Sequence, residues 1–210
     1  MPPSLTAPAA AASPDPGAIE TLEDLLSWGR HFGLRLQTVF GAGILHRLLK
    51  KLAKPMSTAF SGIDAPGSSL IMLVTQLSDI LGIPPDKREH SPHLSGVEMF
   101  NQSREELLAH PNPPQHLFGD IEEFWVPALR QKIAAMRRKG VSVSLQSLTP
   151  AIKSGRAVRL SSYCYVHGKS CEVERAHYHV AGIPCVSLSP MGSQAGTDGT
   201  CMSAWGAWAA

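Results

Sequence analysis

From Met56 onward, short apolar runs alternate with longer helical patterns, and this alternation restricts the fold more than any other feature of the chain. Strand followed by helix, repeated, predicts a mostly parallel, doubly wound α/β sheet with right-handed crossovers. The first strand is predicted over 56–60. A glycine-bearing turn follows, then an amphipathic helix through Leu70, Leu73, Val74, Leu77 and Leu81, closed at Gly82. A second strand over 96–100 carries Glu98, and a helix over 103–110 stops before Pro111. The third strand, 116–120, ends on Asp120. A helix over 125–139 then runs to Gly140, with Arg137, Arg138 and Lys139 complementing its dipole. The apolar run from His179 reads as one more short, buried strand. It breaks at Gly182 into a loop of Gly, Ser and Pro, with Cys185 directly after Pro184.

The flanks are of a different kind. Residues 1–19 are mostly Pro, Ala and Ser, which bury too little to offset ordering entropy, so a disordered tail is expected. Residues 20–54 form a helical lead-in, with Thr21 as N-cap and Lys50, Lys51 and Lys54 near the far end; Gly33, Gly41 and Gly43 predict two helices or a kink. The basic face of His46, Arg47, Lys50 and Lys51 reads as solvated. Residues 141–148 alternate apolar and polar as a strand does.

A net charge of +2 leaves no strong electrostatic footprint for nucleic acid, although a local patch need not show in a total. There is no basic start with an apolar core behind it and no run apolar enough to span a membrane, so an intracellular protein with reduced thiols is expected. All four cysteines lie in the last quarter, at 164, 171, 185 and 201. Cys164, His167 and Cys171 are close enough in sequence for a zinc site. No second Cys/His knuckle completes a tetrahedron, so no metal is assigned from the sequence.

In open α/β sheets the ligand binds outside the carboxyl ends of the strands, and the glycines and acids fall there. Taken in chain order they resemble the motifs of cytosine-5 DNA/RNA methyltransferases. The segment Phe60-Ser61-Gly62-Ile63-Asp64-Ala65-Pro66-Gly67 is similar to that family's cofactor turn. Glu98 stands where an acid binds the ribose hydroxyls, and Asp120 where one contacts the adenine amino group. Pro184-Cys185, followed by a Ser-x-x-Gly turn, resembles the nucleophile loop. The resemblance covers 56–200. It implies a Rossmann-like S-adenosylmethionine-dependent methyltransferase sheet, with Cys185 as nucleophile and Phe60, Ser61, Gly62, Ile63, Glu98, Asp120 and Pro184 around S-adenosyl-L-methionine. It implies DNA as substrate, or tRNA, and nuclear placement follows only from DNA.

Two departures accompany it. Asp64 stands where the family's turn carries a second glycine, and a carboxylate there is expected to repel the cofactor's own. The Glu-Asn-Val motif and everything after it are absent before Ala210, so 55–210 reads as a partial catalytic domain, incomplete at its C-terminus, completed by a further segment or a partner chain. Residues 200–210 read as the start of a helix with Trp205 and Trp208 exposed. The rivals are a degenerate, non-catalytic methyltransferase-like module and a zinc-stabilised binding domain built on Cys164, His167 and Cys171.

Overall fold

A computed structural model describes Thr21, Glu23 and residues 26–62, 64–182 and 202–209, without the side chains of 205 and 209. The described residues divide into two compact units, those up to 51 with 72–89, and 52–71 with those from 90 onward. The lead-in therefore does not stand by itself, because residues 72–89 fold with it. No helix among the described residues is long and apolar enough to cross a membrane.

The first unit contains α1 (Trp28–Phe40) and α2 (Gly43–Leu52). The break falls at Gly41, which has φ +77°, a left-handed backbone that glycine adopts without penalty. Gly33 neither breaks nor kinks the chain. A Cβ there would lie 2.5 Å from Leu77 Cδ2, and one at Gly29 would lie 2.6 Å from Gln76 Oε1, so both glycines let α1 approach residues 73–80 closely. Gln76 locks the contact: its Oε1 accepts from Arg30 N–H at 2.9 Å and its Nε2 donates to Leu26 O at 2.7 Å.

Among the described residues, the second unit is built on a six-stranded sheet of order β5-β4-β3-β2-β1-β6. The strands are β1 (Met56–Ala59), β2 (His93–Val97), β3 (His116–Phe118), β4 (Ser161–Cys164), β5 (Lys169–Glu172) and β6 (Tyr178–Ala181). β6, β1, β2 and β3 run parallel; β4 and β5 form an antiparallel hairpin on the outer side of β3. The sheet is thus α/β and mostly parallel, as the alternation predicts. Every residue of β1 and β2 is buried, the signature of central parallel strands. β6 departs from expectation. It pairs with β1 at the sheet's margin and is half-exposed, Val180 at 40%, so its apolar run is not buried.

Helices α3 (Ala65–Ile80), α4 (Asn101–Ala109) and α5 (Pro127–Arg138) follow β1, β2 and β3, with the last preceded by a 3₁₀ turn at Ile121–Phe124. The expected strand over 141–148 is instead the entry to α6 (Leu145–Lys153). Ser144 decides this: its Oγ accepts from Ser147 N–H at 3.2 Å, an N-cap that starts a helix where Leu145, Leu148 and Ile152 share one face. Phe118, Phe124, Trp125, Ile133 and Leu148 make the core, with Phe124 edge-on to Phe118 at 5.4 Å, a geometry worth about 0.5–1.5 kcal/mol beyond burial.

The terminal helix, α7 (Met202–Ala209), docks on this core. Gly206 is its point of closest approach, where a Cβ would sit 3.1 Å from Leu148 Cδ1 and 3.4 Å from Trp125 Cζ2. Arg137, expected to complement the helix dipole, grips Glu122 with two bonds of 2.6 and 2.8 Å and also donates to Ser203 Oγ at 2.6 Å. Trp208 is not exposed as expected; it packs against the core and stacks on His179 at 5.7 Å.

Candidate functional site

Because β6, β1, β2 and β3 run parallel, their carboxyl ends share one edge of the sheet. The chain leaves β1 toward β2 and β3, and returns to the other flank of β1 as β6. β1 is therefore a topological switch point, the place where open α/β sheets leave a crevice.

The residues at this edge are held by backbone. Phe60 and Gly62, immediately after β1, both adopt left-handed conformations with φ of 54° and 53°; for Phe60 this is unusual. The turn they make aims successive N–H groups at the neighbouring strand: Ser61 N donates to Val97 O at 3.3 Å, and Gly62 N donates to Glu98 Oε2 at 2.8 Å. Glu98, one residue beyond β2, accepts a second bond at Oε1 from Phe100 N, 3.0 Å away. Arg104 fixes the backbone around it, donating to Glu98 O at 2.9 Å and Met99 O at 2.6 Å, with its guanidinium 4.1 Å from the centre of the Tyr165 ring. Gly182, three residues before Cys185, lies against the same turn. Its N–H donates to Ala59 O at 3.1 Å, and a Cβ there would come 3.1 Å from Phe60 O.

Asp120 follows β3 and caps the 3₁₀ turn, its Oδ1 accepting from Glu122 N at 2.9 Å. Burial raises its carboxyl above the ordinary value, against the lowering effect of that bond. The structure thus brings Phe60, Ser61, Gly62 and Glu98 together and sets Asp120 at the end of β3. Ile63, Pro184 and Cys185 lie outside the described residues.

Asp64 behaves differently from the expectation that its carboxylate faces the cofactor. The residue is fully buried. Oδ1 accepts from Gly67 N at 3.2 Å as the N-cap of α3, and Oδ2 faces His93 Nδ1 at 3.4 Å. His93 Nε2 meets Thr58 Oγ1 at 3.0 Å, and Thr58 Oγ1 meets Ser61 Oγ at 2.7 Å. Asp64 therefore anchors the turn from beneath through a buried polar chain. Its carboxylate is thus engaged inside the fold and not exposed at the turn.

A second group of reactive side chains lies on the β3–β4–β5 flank. Cys164 closes β4, His167 sits in the hairpin turn, Cys171 lies on β5, and His116 opens β3. One donor atom from each lies within 4.8 Å of every other. His167 Nδ1 is 3.4 Å from Cys164 Sγ and 3.5 Å from Cys171 Sγ, and His116 Nδ1 is 3.8 Å from Cys164 Sγ. The far nitrogen of His116, Nε2, meets Glu174 Oε1 at 3.3 Å. Both cysteines are free thiols.

Sequence reasoning finds three of these four residues and misses His116, 48 positions upstream of Cys164. It also misses Arg104 and Tyr165. The one signal for His116 was its place at the start of a predicted strand, which does not distinguish a ligand from any strand-opening residue. Compared with known proteins, the chain matches no family model, no curated protein and no solved structure.

Proposed function

We propose that this chain carries the cofactor-and-nucleophile portion of an S-adenosylmethionine-dependent cytosine-5 methyltransferase, acting on DNA, with tRNA as the alternative substrate. The observation that supports it best is the Gly62–Glu98 hydrogen bond of 2.8 Å at the switch point, beside the segment that leads to Cys185. A carboxylate offers about four lone-pair sites. Two of those on Glu98 accept Gly62 N–H and Phe100 N–H, which fixes the group and leaves two sites for a vicinal diol. A ribose presents that diol. Asp120, with one oxygen committed to the 3₁₀ turn, retains acceptor capacity for an exocyclic amino group.

The bound cofactor supplies an electrophilic methyl sulfonium. The protein's own part is to activate the base, since cytosine carbon 5 is a poor nucleophile. The Cys185 thiolate adds to carbon 6, and the electron pair displaced from the 5,6 double bond makes carbon 5 nucleophilic toward the methyl group. Once the methyl group had passed to carbon 5 and left the cofactor as its neutral thioether, loss of the carbon 5 proton to solvent would expel the thiolate and restore the ring. The base must leave its stack to reach the thiol.

Calorimetric titration of the full chain with S-adenosylmethionine tests the cofactor half. Binding is expected, and Glu98→Ala is expected to weaken it roughly a hundredfold, the equivalent of two charge-assisted bonds. A folded chain that takes up no cofactor refutes the proposal. Trapping on 5-fluorocytosine DNA or RNA tests the chemistry: a covalent adduct lost in Cys185→Ala supports an enzyme, and cofactor binding without any adduct leaves the non-catalytic module.

A further inference from the structure

We infer that His116, Cys164, His167 and Cys171 form a structural zinc site that fastens the β4–β5 hairpin to β3. This site is independent of methyl transfer. Zinc prefers four nitrogen and sulfur ligands in a tetrahedron, with Zn–S of about 2.3 Å and Zn–N of about 2.0–2.1 Å. Those lengths make each sulfur–nitrogen edge of the tetrahedron about 3.6 Å. The observed edges of 3.4, 3.5 and 3.8 Å bracket that value. Three of the six edges thus already have the length the ion would impose, and all four donors lie within 4.8 Å of one another, close enough for side-chain adjustment to close the tetrahedron.

Three further features fit. The donor set is two thiols and two imidazoles with no carboxylate among them, the composition that selects zinc over hard cations. The hairpin turn holds Cys164 and His167 in a tight x2 spacing through a Gly168 N–H bond to Cys164 O of 2.9 Å, with Gly168 at φ +63°. The outer nitrogen of His116 has a carboxylate, Glu174, at 3.3 Å, while Nδ1 faces the thiols. A carboxylate behind a ligating imidazole fixes the ring and its tautomer and strengthens it as a ligand. Each thiol releases its proton to solvent on ligation, so a zinc ion with two thiolates and two neutral imidazoles carries no net charge. Exposed His167 gives the ion a way in.

The ion would lock three strands at one point. His116 and Cys164 are 48 positions apart, so the link closes a long loop between β3 and the hairpin. It also places Tyr165, next to Cys164, where its ring covers Gly119 and lies under Arg104.

The test is metal analysis of the full chain purified without chelator, followed by replacement of zinc with cobalt(II). One zinc per chain is expected, and a tetrahedral cobalt spectrum with thiolate charge-transfer absorption. His116→Ala is expected to lose the ion. Because unfolding of that variant would give the same loss, His116→Cys supplies the second arm: a Cys3His set still binds, and its charge-transfer band strengthens with the added sulfur. Glu174→Gln is expected to weaken zinc binding about 10–100-fold with all four ligands intact. A folded chain with no zinc that also refuses cobalt overturns the assignment. So does a Cys164–Cys171 disulfide in the protein as isolated, or full zinc retention by a folded His116→Ala.

Discussion

Gly67 and Asp64 give the sharpest test of how the turn after β1 is built. A Cβ on Gly67 would fall 2.0 Å from Asp64 Oδ2 and 2.7 Å from Cγ. No small adjustment relieves that overlap, so Gly67→Ala must turn the carboxylate away from its cap and from His93. The lost cap is worth about 1 kcal/mol. Displacing the buried carboxylate from the one backbone bond it accepts costs about 1–3 kcal/mol more. Replacing glycine by alanine in a helix returns up to about 1 kcal/mol, so the net destabilisation of Gly67→Ala is about 1–3 kcal/mol. Asp64→Ala, which loses the cap and places alanine at a left-handed φ of 63°, is expected to cost about 2–4 kcal/mol. In the Asp64→Ala background the obstacle is gone, and Gly67→Ala is expected to stabilise by up to about 1 kcal/mol. The substitution therefore changes sign with its background. Urea unfolding of the four proteins by circular dichroism reads the cycle directly. If Gly67→Ala destabilises both backgrounds equally, the carboxylate does not occupy the space assigned to it, and the inward-facing account of Asp64 falls with it.

Two further outcomes follow from the fold. Burial holds the His179 imidazole below its ordinary value, so the unfolded chain binds the proton more readily than the folded one. Its contribution to stability is present above the ordinary pKa of 6.5 and declines as pH falls through the lowered folded value; unfolding midpoints measured down this range should fall, and His179→Gln should flatten the slope. Ser144→Ala removes the cap of α6 and should cost about 1 kcal/mol in the same urea assay, with little change in the slope against denaturant.

The sheet was legible because its signals are local. β1, β2 and β3 each present a short apolar run ended by glycine or acid, and periods of two and near four residues separate strand from helix. Boundaries slipped where one side chain outweighed a pattern, as when the Ser144 cap turned an alternating stretch into a helix entry. Burial was misjudged at both ends of the described C-terminal region for a non-local reason. Whether Val180 or Trp208 meets solvent depends on which elements flank them, and composition carries no record of neighbours. The edge residues Gly62 and Glu98 were legible through order along the chain. The buried orientation of Asp64 was not, since a carboxylate in a turn reads the same whether it faces a ligand or His93. His116 was invisible as a ligand because a tetrahedron is closed by topology, and the β3–β4 pairing that delivers it joins segments with no shared motif.

The placement of β6 beside β1 carries a consequence for the order of assembly. Thr58 and His93, across β1 and β2, are 35 positions apart, whereas Ser57 and His179, across β1 and β6, are 122 apart. Closing the longer loop costs about 1 kcal/mol more in chain entropy, and on emergence from the ribosome the partner for that flank of β1 arrives last. The strands that lead to Glu98 and Asp120 can pair while β1 still has a bare flank. The segment leading to Cys185 thus joins a scaffold already formed, and an incompletely synthesised chain would display the empty edge of β1 to whatever strand reaches it first.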